Sequence, residues 1–98
     1  LRAETETAKR KEPAMYLDNM VLYYKPTCPF CQKVLAFMEE EDIALPMRNT
    51  LEPGVGDDLA RIAGKIQVPC LVVDGEPMFE SDDIIRFLGD LLIEREEG

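Results

Sequence analysis

Apolar positions along the chain fall into short blocks separated by clear breaks. Met20 to Tyr24 reads Met-Val-Leu-Tyr-Tyr, a run rich in strand formers, which predicts a strand buried on both faces. Lys25-Pro26-Thr27 breaks it, and Pro29 suits the first position of a helix opening near Cys28. Apolar residues at 30, 34, 37 and 38 keep helical spacing, and Glu39–Asp42 mark the polar end. Four acids there oppose the helix dipole, so fraying is expected. Ala44 to Arg48 predicts a second strand, and Asn49 to Val55, with Pro53 and Gly54, a loop. Leu59, Ile62, Ala63 and Ile66 predict a second helix, capped by Asp57 or Asp58. Leu71-Val72-Val73 reads as a third strand, Asp74-Gly75 as a hairpin turn, and Pro77 to Glu80 as a returning fourth strand at an edge. Ser81 is placed to cap a last helix, with Asp82 and Asp83 in its first turn and Ile84, Phe87, Leu88 and Leu91 on one face. The order β-α-β-α-β-β-α predicts an α/β fold, a four-stranded mixed sheet flanked by helices.

Length and charge narrow the function classes. Ninety-eight residues suit one domain, read here as residues 15–98, preceded by a polar, disordered tail at 1–14. The chain opens on Leu1, which reads as a truncated or processed start; the cytoplasm is the default compartment. No apolar run approaches the roughly 18 residues needed for a membrane span. A net charge of −9 argues against nucleic-acid binding, which needs clustered Lys and Arg.

The candidate chemistry lies in three cysteines and in the absence of histidine. An odd cysteine count fits a secreted disulfide scaffold poorly, and a zinc site would need all three cysteines. Cys28-Pro29-Phe30-Cys31 follows a predicted strand and opens a predicted helix, which is the context of a redox dithiol. With no imidazole available as a base, a nucleophilic thiol must be activated electrostatically. A helix N-terminus supplies free N–H groups and a positive dipole end, and Lys25 adds a charge. Cys28 is therefore assigned as the nucleophile and Cys31, one turn further in, as the resolving thiol. Half of a zinc site, or a pair of buried apolar cysteines, is the plain alternative. Cys70 is read as a packing residue, with a redox role as the alternative.

Lys25-Pro26-Thr27-Cys28-Pro29-Phe30-Cys31 resembles the dithiol glutaredoxin signature, with Phe30 where tyrosine is common. Val68-Pro69 resembles the Val-Pro segment of that family, whose proline is typically cis; Gln67 stands in place of threonine. The stretch Gly64 to Pro69, followed by Glu80-Ser81-Asp82, is similar to the N-terminal domain of glutathione transferases. Glutaredoxins carry Gly-Gly-x-Asp in the region where this chain has Phe79-Glu80. The resemblance covers residues 19–93 and implies a thioredoxin fold and glutathione-dependent thiol–disulfide exchange. It implies glutathione as co-substrate and disulfide or glutathionylated proteins as partners; a monomer without metal is expected, with iron–sulfur ligation across a dimer through Cys28 and glutathione as the weaker alternative, disfavoured by Pro29. It also implies a glutathione site: Lys25 on the glycyl carboxylate, the Val68 backbone on the cysteinyl unit, Ser81 and Asp82 on the γ-glutamyl group, and Phe30, Gln67 and Pro69 around them. Simple helix capping by Ser81 and Asp82 is the alternative for those two. A non-catalytic, transferase-like binding module is the alternative for the whole chain.

Overall fold

A computed structural model describes residues 15–97, so the expected tail at 1–14 lies outside the described residues. The elements in chain order are β1 (Met15–Tyr16), β2 (Met20–Tyr24), α1 (Pro29–Glu40), β3 (Ile43–Ala44), β4 (Met47–Asn49), α2 (Val55–Ala63), β5 (Cys70–Val73), β6 (Glu76–Met78) and α3 (Ser81–Glu97). Four strands form the mixed sheet in the order β4-β2-β5-β6; β2 and β4 run parallel, and β5 is antiparallel to both β2 and β6.

Strand alternation divides the core in two. Met20 and Leu22 of β2 and Leu71 of β5 point to one face, where they pack with Val34 and Met38 of α1 and Ile84 and Leu88 of α3. Tyr23, Cys70 and Val72 point to the other face and meet Val55 and Leu59 of α2. Helices thus cover both sides of the sheet, and the two central strands β2 and β5 are apolar on both faces because neither face meets water.

Local signals explain most boundaries. Pro29 occupies the first turn of α1, where its missing N–H costs nothing. Asp74 and Gly75 both have positive φ (51° and 85°), the backbone of a tight two-residue hairpin between β5 and β6. Pro77 pairs with Val72 on the outermost strand, where an absent N–H breaks no ladder.

Other boundaries differ from expectation. The strand expected over Ala44–Arg48 is two: β3 pairs in parallel with β1, and β4 pairs with β2. Leu45-Pro46 separates them, since Pro46 has no N–H to donate, although its carbonyl still accepts the Leu22 N–H at 2.9 Å. Neither Asp57 nor Asp58 caps α2. Gly54, at φ 82°, is the N-cap, and both acids lie in the first turn, where they complement the dipole. Gly64, at φ 83°, ends the same helix, so Ile66 falls outside it and is 60% exposed. The fourth strand begins at Glu76 and ends at Met78. Ser81 is the first helical residue of α3 and not its cap, because the Glu80 carbonyl accepts the Ile84 N–H at 2.9 Å. The acidic end of α1 is closed by the Glu41 N–H on the Phe37 carbonyl.

Candidate functional site

The site is built where β2 gives way to α1. After Tyr24 the chain turns through Lys25-Pro26-Thr27, and the Cys28 N–H closes that turn on the Lys25 carbonyl at 3.1 Å. Cys28 is the N-cap of α1 in extended conformation (φ −84°, ψ 123°), and its carbonyl accepts the Gln32 N–H at 3.0 Å. The Gln32 amide donates back to the Pro26 carbonyl at 2.9 Å, tying the turn to the first helical turn.

This placement separates the two thiols chemically. Cys28 is half-buried, and partial burial opposes its ionisation. That cost is outweighed by the Cys31 N–H, the Cys31 thiol, the Phe30 N–H and the Lys25 charge, so Cys28 lies below the ordinary thiol range. The two N–H groups fall short of a full cap hydrogen bond to the sulfur and act on it as oriented dipoles. Cys31 is 0% exposed, and burial chiefly, with the charge and hydrogen bonding of Cys28, pushes its thiol up to about 11. The Lys25 N–H, donated to Cys31 Sγ at 3.4 Å, offsets only part of this. One sulfur thus ionises more readily than a free thiol, beside another that ionises less readily.

A cleft of about 240 Å³ is lined by Phe30 and Lys33 of α1, by Gln67, Val68 and Pro69 ahead of β5, and by Phe79, Glu80, Ser81 and Asp82 where β6 passes into α3. The Val68–Pro69 bond is cis. Of the residues singled out in the sequence, Phe30, Gln67, Val68, Pro69, Ser81 and Asp82 share this cleft. Lys25 does not line it and acts on Cys28 through its charge. Phe79 and Glu80, which entered the sequence comparison without being assigned a contact, also line it, and Lys33 is the lining residue that sequence reasoning missed. Lys33 forms an ion pair with Asp82, which holds that carboxylate below its usual range. Nothing local signals that pair: 49 residues separate its members, and only the packing of α1 against α3 joins them.

Cys70 packs in the core on the α2 side, 0% exposed, among Tyr23, Val55, Leu59 and Val72. Burial raises its thiol above the ordinary value. Among the described residues no group of three or more Cys, Asp or Glu is arranged to hold a metal ion, and no helix is long and apolar enough to cross a membrane.

Residues 27–91 match the family described as glutathione S-transferase, N-terminal domain. The chain belongs to that family. The matched segment runs from the residue before Cys28 through most of α3, so it takes in both the dithiol and the cleft. No curated protein sequence matches the chain. Among solved structures, glutathione transferase Omega 3C from Trametes versicolor is similar at TM-score 0.61 and 23% identity, over 92% of this chain and 39% of that one. Glutaredoxin 2 from Salmonella typhimurium, in complex with glutathione, is similar at TM-score 0.53 and 26% identity, over 76% of this chain and 34% of that one. The holo form of glutaredoxin C1 from Populus tremula x tremuloides is similar at TM-score 0.56 and 18% identity, over 86% and 84% of the two chains. This transferase N-terminal-type domain therefore has the thioredoxin fold shared by all three, and it spans about two fifths of the Omega transferase.

Proposed function

We propose that this domain is a glutathione-dependent thiol–disulfide oxidoreductase of the dithiol glutaredoxin type. Cys28 is the nucleophile and Cys31 the resolving thiol. The observation that carries the reading is the divergence of the two sulfurs, one lowered at a helix start and the other raised in the core. That is the asymmetry a two-step exchange needs.

In the first step the Cys28 thiolate attacks one sulfur of a glutathione mixed disulfide. A Cys28–glutathione disulfide forms, and the substrate thiolate leaves and takes a proton from water. A glutathione thiolate then attacks the glutathione sulfur of that bond, releasing glutathione disulfide and restoring the Cys28 thiolate. This path needs one protein thiol. With a protein disulfide, Cys31 instead attacks Cys28 Sγ, expelling the bound substrate thiol and leaving a Cys28–Cys31 disulfide for two glutathiones to reduce. Once Cys28 is in a mixed disulfide its negative charge is gone, so one cause of the high Cys31 value disappears when Cys31 must ionise.

The glutathione contacts are part of this proposal: Lys25 toward the glycyl carboxylate, the Val68 backbone toward the cysteinyl unit, and Ser81 and Asp82 toward the γ-glutamyl end. Phe30, Gln67 and Pro69 complete the walls. In support, all but Lys25 line one cleft, and the first N–H groups of α3 are free to meet a carboxylate there.

A second reading is favoured by the family match itself: a transferase N-terminal module that binds glutathione without exchange chemistry. Turnover separates the two. Oxidoreductase function predicts reduction of a glutathione mixed disulfide that is abolished by Cys28→Ser and retained by Cys31→Ser. Glutathione binding with no turnover in the unaltered protein establishes the module instead.

A further inference from the structure

Two charges of opposite sign in the cleft are already in contact. Lys33 projects from α1 and Asp82 from the first turn of α3; both line the cleft, and they pair across it. Their side chains are 51% and 74% exposed, so the bridge is wet and weak and can be opened by a competing ligand. Glu80 also lines the cleft, which makes the lining anionic on balance and unsuited to a simple anion such as phosphate. The head of an α-amino acid has a different pattern, with an ammonium and a carboxylate on a single carbon. Inserted between Lys33 and Asp82, it replaces one ion pair with two.

We propose that Lys33 is a specificity-determining residue of the cleft: the Lys33–Asp82 bridge opens to admit the zwitterionic γ-glutamyl end of the peptide thiol, with Lys33 taking the α-carboxylate and Asp82 the α-ammonium. This rests on the glutathione reading above and adds to it both a residue and a displacement. The free N–H groups of α3 assist Lys33 with the same carboxylate. Two other cations lie nearby but do not line the cleft. Lys65 sits over the Phe79 ring at 4.4 Å, and Arg86 lines a separate depression with Met78, Phe87 and Asp90.

The displacement makes the effect of removing Lys33 depend on which charge the ligand carries. For a ligand that has the carboxylate, Lys33 is a partner. For a ligand that lacks it, Lys33 only competes for Asp82. The test measures dissociation constants by NMR titration for three probes that cannot exchange: S-methylglutathione, its glutaryl analogue without the ammonium, and its γ-aminobutyryl analogue without the carboxylate. Because Lys33→Gln also removes the bridge that binding must open, it is expected to leave the first two within about twofold. The same substitution is expected to tighten the γ-aminobutyryl probe by about fivefold, the scale of an accessible ion pair that no longer has to be broken. Arg61→Gln, on α2 and outside the cleft lining, should leave all three unchanged. Equal changes for all three probes in Lys33→Gln, or no tightening of the γ-aminobutyryl probe relative to the other two, overturn the proposal while leaving glutathione recognition intact. Failure of the unaltered protein to bind S-methylglutathione removes both.

Discussion

Substitution of Cys31 separates its packing role from its electrostatic one. The sulfur is fully buried in the α1 helix and accepts the Lys25 N–H at 3.4 Å. Cys31→Ala removes one heavy atom from a closed site, which costs about 1 kcal/mol by the scale of single-methylene deletions. It also leaves the Lys25 N–H without its acceptor, which costs about 1 kcal/mol more at a half-buried position. The sum, about 2 kcal/mol, corresponds to a fall in midpoint of about 8–16 °C for a domain of this size. Cys31→Ser keeps an acceptor for Lys25 and a donor for Cys28, so its loss should be about half as large. Thermal and urea unfolding of the two variants checks the order. Alkylation of Cys28 against pH should show a matching pattern, with ionisation moved up toward the ordinary thiol value in Cys31→Ala and little changed in Cys31→Ser. Equal stability of the two variants, or a Cys28 profile indifferent to alanine, would refute the idea that this sulfur holds the turn and the thiolate together.

Three further outcomes follow from the same geometry. Lys25→Gln removes a positive charge acting on Cys28 and should raise the pH at which it ionises, slowing alkylation at neutral pH without altering stability beyond about 0.5 kcal/mol. Gly54→Ala places a side chain at φ 82°, where the space is open but the backbone is costly, so thermal unfolding should show a loss of about 1 kcal/mol with Cys28 reactivity intact. In Cys28→Ser only Cys31 titrates at the site, and burial still raises it. Because the folded value exceeds the unfolded one, its contribution to stability is present below about 9 and is lost as pH rises through the folded value, which lies below the about 11 of the unaltered protein because the Cys28 charge is gone. The urea midpoint should fall across that window relative to the Cys28→Ser, Cys31→Ser double variant.

Much of this fold was legible because its signals are local. Pro29 marks a helix start, Asp74-Gly75 a hairpin and Pro77 an edge, each through a backbone constraint carried by the residue itself. The unbroken apolar runs at Met20–Tyr24 and Leu71–Val73 likewise revealed that the sheet has two covered faces, since apolar residues point to both. What stayed hidden depends on tertiary context. The Asp57-Asp58 pair looks like a cap, but Gly54 takes that role three residues earlier through a left-handed backbone. Leu45-Pro46 divides one apolar stretch between two partners, β1 and β2, and no local pattern names either. The dithiol was readable from spacing alone, whereas Lys33 had no mark until α1 and α3 were packed side by side.

The most direct measurement is the rate of iodoacetamide alkylation of Cys28 as a function of pH, in the reduced protein with Cys70 replaced by alanine. A single ionisation below that of a free thiol is expected for Cys28, with Cys31 unmodified until far more alkaline conditions. A profile for Cys28 that matches an unperturbed thiol, or that rises together with Cys31, would contradict that expectation.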